Sequence, residues 1–159
     1  MTIILAIDPG ITGALAFYEV ERGNVEVFDM PLLDGDVNPH ALKYMILNNM
    51  PDFAVIEKVH PMPKEGVSGV WRFSAAYTTA RVVVMLCRIP LHLVSPAMWK
   101  FRMNLKGGKE GKEQARSLAI QTFPNHASQL SRKKDHGRAE AALLAVYASR
   151  TLLNRNPSP

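Results

Sequence analysis

Apolar residues in this chain fall into short unbroken runs and longer periodic stretches, in alternation. Residues 2–8 (TIILAID) are an apolar run closed by one acid, which predicts a strand buried on both faces. "DPGITG" is turn chemistry, with a proline and two glycines. Residues 13–20 and 24–30 predict two further strands, joined by a hairpin connection at "ERGN". "DGDVNP" predicts a loop and then a helix to about Asn49, with Asn38 as its N-cap and Pro39 at its first position. "DFAVIEK" is another buried strand, and it too ends on an acid, Glu57.

The second half reads as mostly helical. "VHPMPKEGVSG" predicts a loop, and a helix follows from about Val70 to Arg88, stopped by Pro90. "LHLV" is a short strand, and Ser95 with Pro96 starts a helix through "SPAMWKFRM". "NLKGGKEGK" reads as a basic, glycine-rich connection. "KEQARSLAIQTF" is amphipathic, with Ala115, Leu118, Ala119 and Thr122 on one face. "GRAEAALLAVYASRTLL" predicts a strong final helix. Three strands, helix, strand, helix, strand and helices predict one mixed α/β sheet with helices on its faces. A single domain over residues 1–153 is expected, with 154–159 as a flexible tail.

Composition narrows the class. A chain of 159 residues needs neither disulfide nor structural zinc to hold a core, and its one cysteine, Cys87, predicts a small buried apolar residue. The expected setting is a reducing compartment. The apolar run from Val82 to Cys87 is far too short to span a bilayer, and no signal peptide is expected. Net charge is +5, unevenly spread. Residues 1–99 hold 7 basic and 10 acidic side chains, and residues 100–159 hold 12 and 4. A basic final third beside an acidic remainder points to a polyanionic partner, against the plainer alternative of a solvated surface.

The acids carry the chemistry. Asp8 and Glu57 each end a buried strand, and if those strands are parallel neighbours both emerge at one sheet edge. Asp135 and His136 precede the last helix, and Glu140 stands among its alanines. Carboxylates gathered together repel unless a cation neutralises them, and hard oxygen ligands suit Mg²⁺ or Mn²⁺. A pair of such ions can activate water and stabilise the leaving oxygen of a phosphodiester. Each acid also has a plainer reading. Asp8 could cap its turn, Glu57 could pair with Lys58 or Arg81, and Asp135 could serve the helix dipole. His136 is a candidate ligand or general acid/base of lower rank than the acids. Trp71 and Trp99 are expected in the core or an interface.

"AIDPGITGALAFYEV", "FAVIEKV", "VSPAMWKFRMNL…GKEQARSLAIQTFP" and "DHGRAEAALLA", in that order, resemble the RuvC-type Holliday junction resolvases of the ribonuclease H-like superfamily. The likeness is greatest to compact phage forms and covers nearly the whole chain. It implies a five-stranded mixed sheet of order 3-2-1-4-5 flanked by helices. It further implies a homodimer that binds a four-way DNA junction and hydrolyses one strand per subunit with Mg²⁺, two ions per site, leaving a 5′-phosphate and a 3′-hydroxyl. Asp8, Glu57 and Glu140 match the family's acids. The fourth acidic place falls on Gly137, so Asp135, or else His136, is expected to substitute. Lys112 matches a phosphate-contacting position, and Lys100, Lys106, Lys109 and Arg116 extend that basic stretch. His60, Met62 or Trp71 would approach the junction centre. The implied setting is the cytoplasm of a bacterial cell or a phage-infected host. Competing readings are a sugar-kinase-like phosphate loop, a nuclease for RNA–DNA hybrids or other branched DNA, and a non-catalytic DNA-binding module.

Overall fold

A computed structural model describes residues 1–58, 60 and 66–153. The expected tail, 154–159, and Met62 lie outside the described residues.

The sheet is built around β1 (Ile3–Asp8). That strand pairs antiparallel with β2 (Ala14–Glu19), which pairs antiparallel with the edge strand β3 (Asn24–Asp29). On its other side β1 runs parallel to β6 (Phe53–Glu57), and β6 runs parallel to β7 (Leu91–Val94). Two two-residue strands, β4 (Leu32–Leu33) and β5 (Asp36–Val37), make a separate hairpin. The sequence pattern gave no sign of it beyond "DG", and those two residues, Asp34 and Gly35, turn it with positive φ. The five-stranded order is β3-β2-β1-β6-β7. With the small hairpin set aside, this is the expected 3-2-1-4-5.

Helices cover both faces. α1 (Pro39–Asn49) starts as expected, with Asn38 Oδ1 accepting from the amides of His40 and Ala41 at 3.1 Å. It packs with α2 (Val67–Leu86) over Leu5, Ile7, Leu15, Phe17 and Ile56. On the opposite face lie α3 (Pro96–Arg102), α4 (Gly108–Thr122), the single turn α5 (Ala127–Leu130) and α6 (His136–Thr151). They pack over Ile4, Ala6, Ala14, Ala16, Val25 and Val27. Leu5 and Ile7 thus serve one layer, and Ile4 and Ala6 the other, as the period of a strand requires.

α6 runs between the sheet and α4 and is buried from Ala139 to Ala148. Its alanines allow close approach on both sides, the composition of a helix apolar all round. α4 begins at Gly108, four residues before the amphipathic stretch suggests, so part of the basic connection is helical. Cys87 is only half-buried.

Candidate functional site

β1 and β6 are parallel neighbours with Ile7 opposite Ile56, so each strand's final residue, Asp8 and Glu57, emerges at the same carboxyl edge. The turn after β1 folds straight back into β2. At Gly13 a Cβ would lie 2.0 Å from the carbonyl oxygen of Asp8, so only glycine lets the chain fold back this tightly into β2. Glu57 is fixed from the far side, where β7 pairs with it at Val94 and the Lys58 amide donates to the Val94 carbonyl at 2.7 Å.

The third acid comes from the other layer. Glu140, in the second turn of α6, is 9% exposed on a helix packed against β1 and β2. Ligand oxygens of Asp8, Glu57 and Glu140 all lie within 4.8 Å of one another, the one such group among the described residues.

This cluster is electrostatically unfavourable by itself. Burial, then the charges of Glu140 and Glu57, hold the Asp8 carboxyl well above its ordinary range, and Lys100 and Lys112 pull against them. Burial also raises Glu57, opposed by the Lys100 charge and a hydrogen bond from Trp99.

α3 supplies the opposing groups. It starts directly after β7, which brings two consecutive side chains to Glu57. Trp99 is in the core, 1% exposed, and its indole Nε1–H donates to Glu57 Oε1 at 2.9 Å. Lys100 Nζ lies 3.7 Å from Glu57 Oε1 and 3.5 Å from Glu140 Oε1, and 5.5 Å from the Trp99 ring centroid. Glu57 therefore pairs with neither Lys58 nor Arg81. Sequence reasoning placed Lys100 on the DNA face and missed its position among the acids. It missed Trp99 as the partner of Glu57 as well. The available signal was a helix start immediately after a strand, with Trp-Lys on its first full turn.

The expected fourth position divides in two. Asp135 is almost fully buried, but its carboxylate is turned to Arg132: Oδ2 accepts from the Arg132 amide and Nε, each at 3.0 Å, and Oδ1 from Nη2 at 2.9 Å. That hydrogen bonding holds it below the ordinary carboxylate range. The structure does not bring Asp135 into the cluster. His136 Nδ1 faces the Lys133 carbonyl at 3.2 Å. Gly137 is the residue that abuts the site, since a Cβ there would meet the Thr12 carbonyl at 3.0 Å and Asp8 Oδ2 at 3.2 Å.

The basic residues also separate. Lys106 is tied to Glu110 at 2.8 Å, and Arg116 is tied to Glu113 and donates to the Ser131 carbonyl. Lys109 and Lys112 are exposed and make no ion pair among the described residues, and the charge of Lys112 is felt at Asp8. Trp71 is 76% exposed on α2, contrary to the core expectation. His60 is exposed. No helix among the described residues is long and apolar enough to cross a membrane.

A mixed sheet of this order, with a helix laying its acid over the two strand-end carboxylates, is a ribonuclease H-like fold. Comparison with solved structures finds the same fold in RuvC. Thermus thermophilus RuvC, solved alone and in complex with a Holliday junction substrate, superposes with a TM-score of 0.64 at 16% identity, over 94% of this chain and 96% of that one. The yeast mitochondrial Holliday junction resolvase gives 0.52, also at 16% identity, over 94% of this chain and 79% of that one. No family model matches the chain. In sequence, a stretch of 57 residues, 36% of this chain, is 42% identical to the chloroplastic Holliday junction resolvase MOC1 of Chlamydomonas reinhardtii, and it spans 6% of that protein. The expected resemblance holds at the level of fold.

Proposed function

We propose that this chain is a divalent-metal-dependent endonuclease that cuts four-way DNA junctions by phosphodiester hydrolysis, leaving 5′-phosphate ends. The observation that carries the reading is the convergence of Asp8, Glu57 and Glu140 at the carboxyl edge of a RuvC-type sheet.

The donor set fits a hard cation. It is all carboxylate oxygen, drawn from three distant parts of the chain, and two of its members are held above their ordinary pKa range by burial. Asp8, Glu57 and Glu140 would hold Mg²⁺, with Mn²⁺ able to substitute and two ions per site. Such ions supply activation of water and stabilisation of the charge on the leaving oxygen. The chain's own residues do the rest. Trp99 holds Glu57 Oε1 in place and favours its ionised form. Lys100 offsets charge on Glu57 and Glu140, and lies where a phosphate oxygen entering the site meets a cation. Lys112 and Lys109, exposed on α4 and without an ion pair among the described residues, draw the DNA backbone toward the edge.

In this reading Asp135 does not ligate. It ties Arg132 across the turn that precedes α6 and so fixes the helix that carries Glu140. The nuclease domain occupies residues 1–153. It works as a homodimer in the cytoplasm of a bacterial cell or phage-infected host. The dimer is supported by α2, whose outward side carries Trp71, Val82, Met85 and Leu86, each at least 45% exposed.

The test is purified protein on a four-way junction, a Y-fork, a duplex and an RNA–DNA hybrid, each with Mg²⁺ or EDTA. Paired nicks in the junction with Mg²⁺ alone are expected. Preferential cutting of the hybrid would overturn the reading.

A further inference from the structure

A shallow cleft of about 370 Å³ lies beside the carboxylate cluster, lined by Pro96, Ala97, Lys100, Phe101, Leu105 and Gly107. Its walls are mostly apolar, and its one charged side chain is Lys100, the same lysine that reaches Glu57 and Glu140. Phe101 stands at this cleft 78% exposed, the largest exposed aromatic surface on this face of the sheet. The preceding residues explain the exposure. Trp99 is locked into the core and Lys100 is held at the acids, so the helical turn of α3 directs the next side chain outward.

Neither folding nor the metal site needs a bare phenyl ring there. The surroundings say what covers it. The cleft shares Lys100 with the cluster, and the basic start of α4, with Lys109 and Lys112, follows Gly107. Whatever fills it must have a flat apolar face and be attached to a polyanion whose phosphate lies at the acids. We propose that this shelf receives an unpaired nucleobase adjoining the cut phosphate, stacked on Phe101, and so helps set where along the strand the cut falls. The inference rests on the nuclease reading above and adds to it a base-contacting residue. A ring against a base is tolerant of sequence but requires an unstacked base, which a branch point supplies and a closed duplex does not.

The test uses four-way junctions carrying 2-aminopurine at single positions around the cut, titrated with the full chain in EDTA, and the same junctions cut with Mg²⁺. Wild type should change the fluorescence at one position next to the cut. Phe101→Ala should lose that change and raise KM about tenfold with kcat little altered, and Phe101→Trp should restore both. An abasic site at that position should raise the wild-type KM equally and make the Phe101→Ala variant indistinguishable from wild type. If Phe101→Ala cuts and reports like wild type, the shelf is empty in the complex and the inference is wrong. If it instead turns a dimer into a monomer in sedimentation, the occupant is a second copy of this chain, which also overturns it. A wild type that gives the Phe101-dependent signal but leaves junctions uncut would preserve the shelf and defeat the nuclease reading.

Discussion

Asp8 is the acid most opposed by its surroundings. Its folded pKa is raised, so ionisation costs stability at neutral pH, and that cost disappears as pH falls through the raised value. Asp8→Asn is therefore expected to raise the metal-free Tm, by on the order of 3 °C per kcal/mol of cost removed, while abolishing cleavage and the Tm gain on adding Mg²⁺. Calorimetry with and without Mg²⁺, beside a junction assay, checks all three. Asp135 behaves in the opposite sense. Its pKa is depressed by Arg132, so its contribution is present at neutral pH and is lost as pH falls through the folded value. Asp135→Asn should lower Tm by about 2–4 °C at pH 7, with the difference closing in acid, and should leave cutting intact. Complete loss of cleavage in a folded Asp135→Asn variant would make it a ligand after all. The two acids look alike in sequence, each lying close to a glycine at the edge of an element. What separates them is the neighbour each meets in space, Glu57 and Glu140 for one and an arginine three residues away for the other.

At the scale of elements, α3 is a seven-residue helix whose work is concentrated in Trp99 and Lys100. The Trp99 hydrogen bond favours ionised Glu57. Trp99→Phe keeps most of the packing and removes the donor, so the Glu57 pKa should rise further. The acid limb of the pH–rate profile should then move to higher pH, with kcat at neutral pH down about tenfold, as the loss of a hydrogen bond to a charged group implies. An unshifted limb would mean that Glu57 is set by other groups. The acids at 8, 57 and 140 were legible because a lone charge ending an apolar strand, or set among alanines, breaks a pattern. The position of Lys100 was not, because a lysine on a short helix looks the same whether it faces solvent or three carboxylates. Trp71 misled for a related reason. Hydrophobicity says that a ring is to be covered, not whether this chain or another covers it.

For the whole molecule, the charge asymmetry noted in sequence becomes a difference in availability. Lys106 and Arg116 are neutralised by acids on α4, whereas Lys109 and Lys112 face outward. Replacing both with alanine should reduce the slope of log K against log salt by about 2, whereas the same change at Lys106 should hardly alter it. Binding titrations at several salt concentrations measure this. The outward side of α2 makes a separate prediction: Leu86→Lys should shift a dimer toward monomer in sedimentation and leave each subunit folded. The layer order was readable from the alternation of buried strands and helices, and the strand order came with the family likeness. The small hairpin of β4 and β5 was not, since two-residue strands leave almost no periodic signal.

The last helix bears on how a cell tolerates such a protein. α6 supplies Glu140 and also fills the layer over β1 and β2. During synthesis the segment that completes the carboxylate cluster is the same one that completes the core, and it leaves the ribosome after every other described element. A nascent chain, or one broken off by a premature stop before α6, holds Asp8 and Glu57 but no third acid and no finished fold. Under the nuclease reading proposed above, hydrolytic capacity would be withheld until translation has passed residue 140.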